Sequence, residues 1–468
     1  MKKLPIGIQT FSELVDPAEN YIYVDKTRAL YNLTQAGKYY FLSRPRRFGK
    51  SVLLSTLGDL FAAKKKLFKG LYIEKKWDWD TRHPVIKISF GGGQFDTEEN
   101  FNRQLARIME DNQERLAINC AADKNDAGTC FHNLVKKAFH KYGEKVVILI
   151  DEYDKPILDH ITNKTIARVN LDKLKGFYGI IKDLDEYLKF VLITGVSKFA
   201  KMNLFSGLNN LQDITLNLDY ATICGYTHAE VENSFVDHLH GVDRDKLQEW
   251  YNGYNYFAEA LYNPFDILLF FANAKEYRPY WWSTGNPGFL IDLLKQQQYY
   301  LPEVENYIAD DIILDTFDVD HIDLVALLWQ TGYLTFKSKQ IAIDGIEYHL
   351  KVPNKEIQIS LNNLFIQYLT SQSQELRPQK RELYNILAGA DLSAFRQNLA
   401  SLFAGIPYQN YANKIIDKYE GYYASVLYAY IASLGIPFTA EDVSSKGRVD
   451  MSVQLPDKVY IIEFKVNQ

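Results

Sequence analysis

The 468-residue sequence is short of cysteine, of excess positive charge and of long apolar runs. Its three cysteines, Cys120, Cys130 and Cys224, are odd in number and irregularly spaced. They fit neither a disulfide framework nor a zinc site, so reduced thiols are expected. Lysine and arginine number 53 against 58 acidic residues, a net charge of −5. Any nucleic-acid contact must therefore be a local patch. No apolar stretch nears the roughly 20 residues of a membrane span. The opening Met1-Lys2-Lys3-Leu4-Pro5 lacks the apolar core of a signal peptide. These absences predict a cytoplasmic protein with no membrane partner. No internal repeat or low-complexity linker marks a sharp domain boundary.

What is present suits a folded chain. Apolar residues make up 47% and aromatics 14%, enough for several cores, which excludes disorder as a global description. At roughly 150 residues per domain the length suggests about three domains. Apolar runs at Tyr39–Leu42, Val85–Phe90, Val146–Ile150 and Phe190–Thr194 alternate with helical spacing, including one helical region across 97–140. Ile214–Leu216 is a fifth candidate strand. Such alternation predicts a parallel sheet with helices on both faces. From about 225 to 375 the pattern turns helical, with a hairpin expected from Gly332–Phe336 and Tyr348–Val352. Beyond 375 come more helices and two strands, Asp450–Leu455 and Val459–Phe464.

The first strand runs into Arg44-Pro45-Arg46-Arg47-Phe48-Gly49-Lys50-Ser51, and a helix follows. This matches the phosphate-loop pattern GxxxxGK[ST], except that Arg44 replaces the first glycine. The chemistry needs backbone N–H groups aimed at phosphate oxygens from a helix N-terminus. Gly49 lets the backbone approach, Lys50 would reach the β- and γ-phosphates, and Ser51 would hold Mg²⁺. Gly91-Gly92-Gly93 is read as a simple turn, because no Lys-Ser pair follows it.

The most apolar strand ends in Asp151-Glu152-Tyr153-Asp154. Carboxylates at such a tip face the crevice outside the C-terminal end of the sheet. Asp151 would hold Mg²⁺ through water and Glu152 would polarise the attacking water. Asp154 is expected to cap or pair locally. The intervening strand at 85–90 and the acid after the aspartate resemble the additional-strand class of P-loop ATPases. Thr194 or Ser197, at the end of the fourth strand, would sit near the γ-phosphate, or serve only the turn. A kinase using Asp151 as base lacks a recognisable hydroxyl pocket.

A second constellation lies near the C-terminus. Glu420 opens an aromatic helix, Asp450 ends Gly447-Arg448-Val449-Asp450, and Glu463 and Lys465 lie two apart on the next strand. Two apart on a strand means one face. Asp450 and Glu463, with Glu420 upstream, could share Mg²⁺ or Mn²⁺ while Lys465 steadies a nucleophilic water. That is what metal-dependent phosphodiester cleavage requires.

Taken together, these strings resemble the bacterial AAA-ATPase-like proteins with a C-terminal PD-(D/E)XK nuclease domain. The resemblance extends through Tyr23-Val24-Asp25-Lys26-Thr27, Thr194–Lys198, Tyr251-Asn252-Gly253-Tyr254, Tyr262-Asn263-Pro264-Phe265, Gly332-Tyr333-Leu334-Thr335 and Val352–Glu356. It implies an α/β fold: an AAA-like P-loop ATPase domain over 1–225, a helical or winged-helix middle over 226–375, and a restriction-endonuclease-like module over 376–468. It implies ATP, Mg²⁺, a nucleic-acid substrate, DNA first, and a possible homo-oligomer. The family's nuclease fold continues past the lysine, whereas Gln468 follows Lys465 closely, so a partial module is expected. Two function classes follow: an ATPase coupled to a nuclease, or a nucleotide-dependent binding switch with an inactive module.

Overall fold

Val146–Ile150 is β-branched, continuous and wholly buried. A strand buried on both faces belongs in the middle of a parallel sheet covered by helices. In the computed structural model that is its position. The structure describes residues 1–120, 126–198, 210–282, 307–310, 314, 323–343, 345–370, 377–404, 416–444, 447–463 and 465.

Five strands form one all-parallel sheet: β1 (Tyr39–Ser43), β2 (Val85–Ser89), β3 (Val146–Asp151), β4 (Leu188–Gly195) and β5 (Gln212–Asp213). Their order is β2-β3-β4-β1-β5. β4 thus lies between the strand that feeds the phosphate loop and the strand that ends in acids, the additional-strand arrangement expected from the sequence. The register pairs Ser43 with Gly195 and Ser89 with Asp151, so the strand ends reach a common edge. That edge is where an open α/β sheet presents its ligand crevice.

Helix α1 (Lys50–Phe61) leaves β1 through the loop and packs on β3. Leu54, Leu57, Leu149 and Leu192 share the core between that helix and the sheet. The expected helical region across 97–140 is two helices, Glu98–Leu116 and Ala127–Tyr142, capped by Thr97 and Asp126. A second core gathers Val231, Phe235, Tyr251, Ile267 and Phe271 from the helical stretch after 225. The chain divides into two compact units, Met1–Tyr280 with Ala309–Tyr348, and Trp281–Ile308 with His349–Gln468. In the second, helices Lys355–Thr370 and Ile416–Ala432 pack together, and a three-stranded antiparallel sheet forms from Phe438–Ser444, Gly447–Leu455 and Lys458–Ile462. The expected hairpin is formed by Thr335–Ala342 and Gly345–Lys351.

Two expectations need correcting. The fifth strand is Gln212–Asp213, not Ile214–Leu216, because the Thr215 hydroxyl takes the N–H of Ser43 (3.0 Å) and the backbone ladder stops there. Cys120 and Cys130 are joined in a disulfide, since helix Ala127–Tyr142 returns Cys130 to a Cα–Cα distance of 5.1 Å from Cys120. Cys224 alone is a free, buried thiol. No helix among the described residues is long and apolar enough to cross a membrane.

Candidate active site

The loop from β1 to α1 turns on Gly49, whose φ of +94° is left-handed and costs glycine little. No side chain caps the helix that follows, so its first N–H groups remain available to an anion. Arg44, in place of the usual glycine, still accepts a strand conformation: its N–H donates to Gly195 O at 3.2 Å. Its side chain turns away from the crevice and is fully buried. The guanidinium donates to the carbonyls of Ser43, Thr215, Tyr220 and Ala221 and lies 3.7 Å from the Tyr256 ring centre. Arg44 is thus a clamp for the loop's base.

Lys50 is buried, and its Nζ donates to the Arg44 and Pro45 carbonyls at 2.8 and 2.9 Å. Burial pushes its pKa down, against the pull of Asp151 and Asp154. A cation in that position gains from an incoming anion. The Ser51 hydroxyl donates to Asp151 Oδ2 at 2.6 Å, and the Thr194 hydroxyl donates to Asp151 Oδ1 at 2.8 Å. The ends of β3 and β4 and the first turn of α1 therefore converge on one carboxylate.

Glu152 stands beside it in a left-handed conformation, φ +50°, uncommon for a non-glycine residue. Burial first, and the Asp151 charge second, raise its carboxyl above the usual range. The first glycine of the Gly91–Gly93 turn makes room for it. A Cβ at Gly91 would lie 3.1 Å from Glu152 Oε2. The turn read as simple punctuation thus shapes the acid's surroundings, and only the β2–β3 pairing reveals it.

Asp154 and Ser197 are a separate buried pair. One Asp154 oxygen accepts from the Ser197 hydroxyl and N–H, both 2.6 Å, and from Val196 N at 3.0 Å. The expected local cap or pair is corrected: Asp154 makes no side-chain cap on its own helix and pairs instead across 43 residues of sequence, because β3 and β4 are neighbours in the sheet. Of the two alternatives, Thr194, near the end of β4, reaches Asp151, while Ser197, just past the strand, is spent on Asp154.

Lys50, Ser51, Glu152 and Asp154 line a cavity of about 550 Å³. Arg46, Arg47, Lys50, Ser51 and Glu152 line one part; Ile8, Ile22 and Val24 add apolar surface from the N-terminal segment. The strings that were chemically mute in the sequence brace the loop. Phe48 packs edge-on against Tyr254 at 5.0 Å, Asn263 Nδ2 donates to Arg46 O at 3.4 Å, and Arg47 lies over the Phe265 ring at 3.9 Å. Asn255 N donates to the Thr335 hydroxyl at 2.8 Å. Of these, Phe265 lines the cavity itself, and the sequence names it only within the resembling string Tyr262-Asn263-Pro264-Phe265, with no role. Its signal was the Asn-Pro pair before an apolar helix, which marks a helix start but no chemistry.

In the second unit, Asp450 is half-buried on strand Gly447–Leu455. The neighbouring strand ends at Ile462, so Glu463 and Lys465 lie just past it rather than on it. The antiparallel register pairs Met451 with Ile462, which sets Asp450 and Glu463 at the next opposed positions. Lys465 Nζ is 3.8 Å from Glu463 Oε2. Glu420 is on helix Ile416–Ala432, with its side chain outside the described residues. Among the described residues no group of three histidine, cysteine or acidic side chains is arranged to hold a metal ion.

Comparison with known proteins matches two stretches of the chain to family models. A family model described as a predicted AAA-ATPase matches residues 5–205. A model of the PD-(D/E)XK nuclease superfamily matches residues 418–468. The chain is 46% identical over 466 residues to a protein of Azotobacter chroococcum mcd 1 described as an uncharacterized protein in the vnfD 5' region, covering 99% of this chain and 89% of that one.

Proposed function

We propose, for a chain that belongs to the predicted AAA-ATPase-like family and carries a PD-(D/E)XK nuclease superfamily module, that it binds and hydrolyses ATP and couples this to metal-dependent cleavage of nucleic acid, DNA first. The observation that carries the ATPase reading is the Ser51–Asp151–Thr194 cluster beneath an uncapped helix N-terminus, with Glu152 beside it.

Each group has a role that follows from its position. The N–H groups of Gly49, Lys50 and Ser51, with the loop positions Pro45 to Phe48, cradle the phosphates. Lys50 exchanges two neutral carbonyls for phosphate oxygens, a stronger charge-assisted pairing. Ser51 and Asp151 form an oxygen donor set that fits Mg²⁺, which when bound would neutralise phosphate charge. Thr194 holds the second Asp151 oxygen and fixes the carboxylate's orientation. Glu152 takes a proton from the attacking water. The apolar stretch from Ile8, Ile22 and Val24 suits the base. Lys50→Ala is expected to abolish ATP binding in a calorimetric titration; unchanged affinity would remove the phosphate-loop reading.

For the nuclease module, Asp450 and Glu463, with Glu420, are the proposed ligands for Mg²⁺ or Mn²⁺, and Lys465 orients the attacking water. The test is plasmid cleavage by the full chain, with and without ATP. Asp450→Ala should remove all cleavage. If the unaltered chain cleaves nothing with either metal, the alternative holds: a nucleotide-dependent switch whose second unit only binds.

A further inference from the structure

The loop carries four cations, and the structure commits them very differently. Arg44 is buried on four carbonyls, and Lys50 is held by two. Arg47 is exposed; its guanidinium lies over the face of Phe265, at 3.9 Å, and feels the attraction of the Asp266 carboxylate and the repulsion of Arg46. Among the described residues no hydrogen-bond partner takes the N–H donors of this planar fork, which suits phosphate. Arg47 lines the same cavity as Lys50, Ser51 and Glu152, and so does Phe265. It also sits at φ +65°, a left-handed conformation that a non-glycine residue adopts at a cost and that clusters at ligand clamps.

We propose that Arg47 is an in-chain arginine that reads the terminal phosphate, with Phe265 as its resting place when that phosphate is absent. The proposal rests on the phosphate-loop reading above and adds what distinguishes a bound triphosphate from a diphosphate. The phosphate competes against the ring face and the charge of Asp266. A cation over an aromatic face at an exposed site is held weakly, whereas guanidinium bonding to phosphate is bidentate and charge-assisted. An arginine supplied in the same chain is a known way to stabilise transferring phosphoryl charge.

The resting place is built to report. Phe265 is the second residue of helix Pro264–Ala272, and Asn263 at its cap bonds both Phe265 N and the Arg46 carbonyl. Departure of Arg47 therefore uncovers the first turn of that helix. Its buried side chains, Ile267, Phe270 and Phe271, belong to the second core of this unit.

The test uses the full chain with Mg²⁺, titrated with a slowly hydrolysed ATP analogue and with ADP. Arg47→Ala should weaken the triphosphate roughly tenfold or more, from loss of charge-assisted bonds, and leave ADP nearly unchanged. Arg47→Lys should restore only part of the difference, since an ammonium lacks the fork. Phe265→Leu keeps the bulk but removes the π face, and should raise triphosphate affinity relative to ADP. Equal weakening of both nucleotides, or no change in either, overturns the proposal. Lys50→Ala is run beside these variants. If it retains both affinities the phosphate-loop reading itself has failed. If it loses both while Arg47→Ala keeps the normal ratio, only the role of Arg47 has failed.

Discussion

Glu152→Gln is expected to lower ATP turnover by roughly 10²–10⁴-fold, the usual contribution of a positioned base, while ATP still binds. The amide keeps the shape of the side chain but cannot take a proton from water. The pH dependence follows from the same residue. Burial, and then the neighbouring Asp151, hold the Glu152 carboxyl above the ordinary glutamate range. The base works when deprotonated, so turnover is full above the raised pKa and falls as the pH drops through it. The acid limb should therefore lie at a higher pH than an ordinary glutamate gives, and it should vanish in the glutamine variant. Phosphate release measured between about pH 5 and pH 9 checks both points. Equal turnover in the variant would move the base to another residue.

Arg44→Gly would restore the familiar first glycine of the phosphate-loop pattern, and it is expected to damage the protein. The substitution leaves the carbonyls of Ser43, Thr215, Tyr220 and Ala221 without their donor and opens a void against Tyr256. Buried acceptors stripped of a charged donor, together with lost packing, cost roughly 3–5 kcal/mol. That is a large part of the stability of an ordinary domain. Arg44→Lys should recover little, because a single ammonium cannot span four acceptors. Urea unfolding of the two variants beside the unaltered chain measures this. A midpoint unchanged by Arg44→Gly would show that the glycine position carries no clamp.

The two results bear on how this loop differs from its pattern. A glycine at the first position normally serves a tight turn. Here residue 44 extends the β1–β4 pairing, and the turn begins later, so the position is open to a side chain. Arginine uses that freedom to tie the loop to the segment 215–221, which no motif in the string announces. The same holds for Gly91. Its spacing from Glu152 spans about sixty residues of sequence, yet parallel pairing of Ser89 with Asp151 makes them neighbours.

Much was legible beforehand. Apolar runs long enough for buried strands, separated by helical spacing, located four of the five sheet strands, and the acidic tip of β3 and the Gly49-Lys50-Ser51 helix start lay where the patterns put them. These features are local: period, β-branching and a loop bracketed by strand and helix carry them within about twenty residues. The fifth strand was misplaced by two residues because a threonine hydroxyl, not the backbone, satisfied Ser43. The cysteines were misread because spacing along the chain does not show that a helix brings Cys130 back to Cys120.

The amino-acid sequence by itself thus determined the class of the fold, the strand–loop–helix that carries Gly49-Lys50-Ser51, and the acids at the tip of β3. Tertiary structure alone decided which of them meet. It put Thr194 rather than Ser197 on Asp151, gave Ser197 to Asp154, turned Arg44 inward and left Arg47 on Phe265. The physical reason is range. Secondary structure and capping are written in neighbouring residues, whereas a side chain's partner depends on strand order and on which distant carbonyl or ring the fold brings within a few ångströms.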